Sequence, residues 1–289
     1  MKAVLSATEH DFYAMPLPFV VYSWNKIGID CIVFVPNGNN PKIELSKKYC
    51  NSAKFYEFDC EEKRIPTYSQ VSRLFGSCVL EDKNETIITG DSDLAVFGNM
   101  FSSLNDGNIH VVGADLTNNN EYPMCFIAMP GHKWDSVMNI NKSYQEHLSE
   151  LIDPIEGDNI RGNNWFLDQF LIKKYLDENG ENVILHNRSN GQNQFAMHRA
   201  DRDGWHYDIN TIIDSHFPRP LTNEDNFNKV YNLFKEKYKL AIFVFSCFVI
   251  EIPLLFNTFF GPDTARASMV FITKDIEFTR SVLLYETGL

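Results

Sequence analysis

Four short apolar runs open this chain, with helical segments between them, and the fourth ends on Gly90-Asp91-Ser92-Asp93. The runs cover residues 2–6, 31–35, 53–58 and 85–89. A long apolar pattern over residues 11–27 predicts a helix that begins near Pro18, since proline is favoured in a first turn. A short helix is expected over 43–50. Another is expected over 67–80, with Thr67 as N-cap, Gln70 as its capping-box partner and Pro66 just outside. Strand and helix alternating in this way give an α/β fold with a mostly parallel central sheet and helices on both faces. Such sheets bind ligands beyond the carboxyl ends of their strands. Thr8, Asn37 and Asp91 all fall at those ends.

Past Phe101 the pattern is mixed. Strands are expected over 110–113 and 124–129, in antiparallel arrangement. Helices are expected over 144–152 and 163–176, short strands over 183–185 and 194–197, a strand running into a turn over 212–220, and a helix over 224–238. The domain boundary is expected after residue 238, leaving 239–289 as an apolar C-terminal extension. Residues 240–260 carry Glu251 as their only charge and are long enough to span a bilayer. Glu251 and Pro253 lie near the middle, and a carboxylate there costs about 2.5–3.5 kcal/mol on insertion scales. A buried helix or strand pair is the expectation; the alternatives are membrane association, peripheral or through this C-terminal segment, and a foreign tail such as one from a shifted reading frame.

The formal net charge of -12 sets the chain against polyanions and disfavours general nucleic-acid binding, so no nucleic-acid partner is expected. It leaves room for a small phosphate ligand, because a bound cation reverses the sign locally. The six cysteines form no Cys-x-x-Cys pair, and most lie in apolar runs, as buried thiols do. With no secretory signal at the start, a reducing, cytoplasmic setting is expected.

Asp91 and Asp93 follow an extended segment, where residues two apart point the same way. Two carboxylates on one side of a strand end make a hard-oxygen site for Mg²⁺ or Mn²⁺. Gly90 permits close backbone approach there. Arg73, on the preceding helix, reads either as a solvated arginine or as a contact to the phosphate or ribose of a ligand. His216 reads as a third ligand, one that suits Mn²⁺, with Asp214 behind it to orient the ring, or else as a histidine at a strand end. Asp168 and Gln169 interrupt an apolar helix face made by Phe166, Leu167, Phe170 and Leu171. A carboxylate in that setting is a buried cap or a site group able to act as a base.

In this order, the segments around Arg73, around Thr89-Gly90-Asp91-Ser92-Asp93, around Trp165-Phe166-Leu167-Asp168-Gln169 and around Ile213-Asp214-Ser215-His216-Phe217 resemble the GT-A glycosyltransferases of the glycogenin and galactosyltransferase type. They are similar also to the compact versions found in large DNA viruses of algae. The resemblance covers about residues 1–235. It implies that Asp91, Asp93 and His216 ligate Mn²⁺ (or Mg²⁺) with the donor diphosphate, and that Arg73 and Ser92 contact the donor. It places Ala7, Thr8 and Tyr13 near the nucleobase, and Asp168 and Gln169 at the transferred sugar or the acceptor, with Asp168 as the catalytic carboxylate. The implied partners are a nucleotide-diphosphate sugar, with UDP-sugar favoured, and a glycan or glycoprotein acceptor. The chain departs from the family after His216, where Pro218-Arg219-Pro220 replaces the usual Lys-Pro-Trp. His132, Lys133 and Arg219 are the candidate substitutes for that phosphate clamp.

Two other enzyme classes fit less well. An aspartyl-nucleophile phosphatase would want Thr or Val where Ala95 stands, and a pyrophosphorylase would want a Gly-rich basic loop after the first strand. A catalytically silent module with the same fold is the non-enzymatic alternative; it would bind no Mn²⁺–nucleotide.

Overall fold

In the computed structural model, the four opening runs pair side by side in parallel, in the order β3 (Ala53–Phe58), β2 (Asp30–Pro36), β1 (Lys2–Ser6), β4 (Thr86–Thr89). The structure describes residues 1–118, 120–154, 166–189, 194–195, 199–202, 205 and 207–238. The sheet continues past β4 through β7 (Ile127–Pro130), β6 (Ile109–Val112) and β8 (Val183–His186). β7 runs antiparallel to both neighbours, and every other pairing in this seven-stranded sheet is parallel. The mostly parallel α/β sheet expected from the sequence is therefore present. A second sheet is built from β5 (Leu94–Val96), β10 (Asp214–His216) and β9 (Arg199–Ala200).

Helices cover both faces because neighbouring residues of β1 point to opposite sides. Val4 faces the segment after α4 (Ile65–Ser72): a Cβ placed on Gly76 would come within 2.6 Å of its side chain. Tyr68, Val71 and Leu74 are buried on this side. Leu5 faces the other way, toward Trp24 of α2 (Leu17–Lys26). There Trp24, Phe101 and Phe126 meet edge to face or tilted, with centroids 4.5–6.1 Å apart.

The local expectations hold with adjustments. A short α1 (Asp11–Ala14) precedes α2, and α3 (Pro41–Lys48) starts on a proline with Asn40 as its side-chain cap. The helix expected from Thr67 begins earlier, at Ile65, and Pro66 sits inside its first turn. A proline is suited to that position because the N–H it lacks would go unused. After Ser72 the helix tightens into a 3₁₀ segment, Arg73–Val79. The capping box forms elsewhere, at Ser143 and Glu146 on α6 (Tyr144–Ile152). α5 (Gly131–Val137) was not expected; α7 (Leu167–Glu178) was, and the residues 163–165 assigned to its start lie outside the described residues. Of the strand expected over 194–197, residues 194–195 form a turn instead, and 196–197 lie outside the described residues.

The chain divides into two compact units, Met1–Pro218 and Arg219–Leu289. Of the second, residues 219–238 are described and carry α8 (Glu224–Tyr238). Among the described residues no helix is long and apolar enough to cross a membrane. The apolar segment 240–260 lies outside them. Cys31, Cys50, Cys60, Cys78 and Cys125 are free thiols.

Candidate metal centre

The small sheet builds the site. β10 pairs antiparallel with β5, setting His216 opposite Leu94, directly after Asp93. The Phe217 N–H donates to the Asp93 carbonyl at 2.9 Å and fixes that junction. Residues more than a hundred positions apart thus converge. One ligand atom each from Asp91, Asp93 and His216 lies within 4.8 Å of the others. Two carboxylates and an imidazole are a donor set that suits Mn²⁺ or Mg²⁺, so the residues fit a divalent cation.

The site stands at the carboxyl end of β4, as expected. Thr89 pairs with Val4, and the Gly90 N–H donates to the Val4 carbonyl at 2.9 Å. What approaches Gly90 closely is the core: a Cβ there would come within 2.7 Å of Leu5. A side chain at this position would displace the Leu5 methyl beneath the site.

His216 is nearly enclosed. Its Nε2 lies 3.3 Å from Asp91 Oδ2, and its Nδ1 lies 3.3 Å from Asp201 Oδ1. Burial alone would lower the affinity of the ring for a proton, but its bonds to Asp201 and Asp91 outweigh that and raise it. With Asp201 holding a proton at Nδ1, Nε2 is the nitrogen that faces Asp91, and it would serve a metal once its own proton is lost. Asp201 thus has the orienting position expected of Asp214. Asp214 is fully buried and clamped instead by Arg199, with both contacts at 2.9 Å, and by Arg188.

Arg73 is also buried. Its guanidinium donates to Asp91, to the Gly90 carbonyl at 3.0 Å and to Asp168 Oδ2 at 2.6 Å. Burial pushes the Asp91 carboxyl up, yet Arg73 and His216 overcome this and hold it far below the usual carboxylate range. Asp168, in the first turn of α7, is 1% exposed. Its other oxygen accepts the Gln169 N–H at 2.9 Å. Burial raises its proton affinity and Arg73 only partly offsets this. The structure therefore joins Asp168 to Asp91 through one shared cation.

The remaining predicted residues divide. Ala7 is enclosed, and its N–H closes the end of β1 on the Phe34 carbonyl at 3.0 Å. Thr8 is nearly enclosed just beyond, and Tyr13 is half-buried on α1. Ser92 is 3% exposed between the two aspartates. Gln169 is half-buried, and its carbonyl accepts the Tyr122 N–H at 3.2 Å. His132 and Lys133 do not join the site. β7 runs antiparallel to β4, so Pro130 pairs with Thr86 and α5 begins at the opposite end of the sheet from Asp91. There the His132 N–H donates to the Lys83 carbonyl at 2.7 Å. Arg219 belongs to the second unit.

Sequence reasoning missed the segment around β9. Arg199 and Asp201, two apart, both reach His216, and Arg202 Nη2 donates to Asp93 Oδ2 at 3.0 Å. The dense alternation of charge in Arg199-Ala200-Asp201-Arg202 was the signal available.

No protein-family model and no curated protein matches the chain. Among solved structures, it is similar to the galactosyltransferase LgtC in complex with donor and acceptor sugar analogs (TM-score 0.46, 13% identity, 83% of this chain and 96% of that one). It is similar also to the glycosyltransferase GlyE of Streptococcus pneumoniae TIGR4 (TM-score 0.43, 11% identity, 82% and 63%) and to 4-diphosphocytidyl-2C-methyl-D-erythritol synthase (TM-score 0.37, 7% identity, 64% and 88%). Likeness this distant says nothing of activity, which has to come from the residues of the site.

Proposed function

We propose that this chain is a metal-dependent glycosyltransferase of the GT-A type, with residues 1–238 as its transferase domain. Its donor would be a nucleotide-diphosphate sugar, with a UDP-sugar favoured, and its acceptor a glycan or glycoprotein. The observation that carries the reading is the meeting of Asp91, Asp93 and His216 within 4.8 Å, at the strand end where α/β sheets bind nucleotides. A divalent cation bound there would supply Lewis-acid stabilisation for the negative charge on a departing diphosphate.

The chain's own residues have separate tasks in this reading. Asp91 and Asp93 hold the cation, with His216 as the third ligand and Asp201 fixing its ring. Ala7, Thr8 and Tyr13 border the base, and Ser92 and Gln169 border the donor. Arg73 acts from beneath: it pins Asp91 and Asp168 in place, a positioning role that its burial favours over direct phosphate contact. Asp168 has both oxygens engaged. That favours a fixed anion beside the transferred sugar, stabilising positive charge at the anomeric carbon, over a carboxylate that swings to collect a proton.

Asp91→Asn and Asp93→Asn test the reading. Each variant should stay folded and lose cation-dependent sugar transfer by about 100-fold or more. Full turnover in both would remove the metal from the account.

A further inference from the structure

Once a diphosphate is placed beside Asp91 and Asp93, its charge needs a cation from the protein as well as the metal. The arginines around the site differ in what they have left to give. Arg73 is spent on Asp91, Asp168 and the Gly90 carbonyl, with its side chain 7% exposed. Arg188 and Arg199 are both committed to Asp214, which is fully buried. Arg202 is different. Its side chain is 37% exposed and makes one side-chain hydrogen bond, through Nη2 to Asp93. Its Nε, although enclosed, has no hydrogen-bond partner. An arginine fork offers several donors on one plane and matches phosphate oxygens, so Arg202 has binding capacity that nothing in the site uses. It also sits on a carboxylate that a metal would claim.

We propose that Arg202 is the diphosphate clamp of this protein, resting on Asp93 when the metal site is empty and turning to the donor phosphates when a cation takes Asp93. This rests on the transferase reading. It fills the role left open by Pro218-Arg219-Pro220, and it does so from the turn just after β9, on the metal side of the site, not from α5. The metal and the clamp are then linked. Until the cation neutralises Asp93, the guanidinium stays paired; once it does, the guanidinium faces the phosphate next to that cation. Nucleotide should bind tightly only after metal, and a diphosphate should gain more from the clamp than a monophosphate, which presents fewer oxygens beyond the metal.

The test is titration of UDP, GDP, UMP and GMP in Mn²⁺ into the unaltered protein, Arg202→Ala and Arg202→Lys, with Mn²⁺ alone followed by electron paramagnetic resonance. Arg202→Ala should bind Mn²⁺ alone at least as tightly as the unaltered protein, since a competing cation is gone; this also shows that the site is folded. It should bind the preferred diphosphate about 10- to 100-fold more weakly, the span of a lost charge-assisted contact, and lose much less for the monophosphate. Arg202→Lys should recover part of the loss. Diphosphate affinity in Arg202→Ala within twofold of the unaltered protein overturns the clamp and leaves the transferase reading standing, as does an equal loss for mono- and diphosphate. Weakened Mn²⁺ binding in both variants also overturns the clamp and makes Arg202 structural. Absence of Mn²⁺-dependent diphosphate binding by the unaltered protein overturns the transferase reading and the clamp with it.

Discussion

Arg73 and Asp168 form an ion pair of 2.6 Å in which neither side chain is more than 7% exposed, and the same guanidinium also holds Asp91. The pair ties α7 to the end of β4, so the position of the candidate metal ligand depends on a helix far along the chain.

Removing Arg73 would leave Asp168 buried without its cation. Breaking a buried pair from one side costs about 3–5 kcal/mol, so Arg73→Ala should lower the denaturant midpoint by a matching amount. Arg73→Lys keeps the charge but cannot fork to both carboxylates, and it should fall between the two. Chemical denaturation of the three proteins checks this; an unchanged midpoint for Arg73→Ala would mean that the pair does not hold the fold together.

Asp214 gives the molecule an acid limit. Burial pushes its carboxyl up, but Arg199 and Arg188 bring it down to about 2, below the ordinary 3.8. The native state therefore holds the charged form more firmly than the unfolded chain does. Stability from this source, about 2 kcal/mol, is fully present above pH ~4 and is lost as pH falls toward ~2. Asp91 and Asp201, also held below the ordinary range, act in the same direction. Asp214→Asn should be less stable at neutral pH and less steeply dependent on pH between ~4 and ~2. Thermal midpoints across that range decide it; parallel curves would absolve Asp214.

His216→Ala should weaken Mn²⁺ binding about 10- to 100-fold, and Asp201→Asn should do so by a smaller factor, because it loosens the ring without removing the ligand atom. Metal titration followed by paramagnetic resonance compares them. Equal Mn²⁺ affinity in all three proteins returns His216 to a structural role.

The strands, the α/β class and the aspartate pair at the end of β4 were legible in the sequence, because each depends on a local pattern: apolar runs, turn residues, two carboxylates two apart. His216 was legible through its order along the chain. What was not legible depends on pairing between distant segments. β9 is two residues long, and only its parallel pairing with β10 shows that Arg199 and Asp201 belong to His216. The apolar run 124–129 does not state which end of its strand lies beside Asp91, so His132 and Lys133 could not be excluded until β7 proved antiparallel to β4. Arg73 was legible as a site residue but not as a buried one, since the helical pattern over 67–80 gives no sign that Asp168 will meet it.

The central claim is that Asp91, Asp93 and His216 hold a cation which in turn holds a nucleoside diphosphate. Calorimetric titration of UDP and GDP into the protein, with and without Mn²⁺, tests it most directly. The account predicts tight binding of one nucleotide, UDP by preference, and only when Mn²⁺ is present. Failure of both nucleotides to bind with Mn²⁺ present, or equal binding without it, would contradict the account.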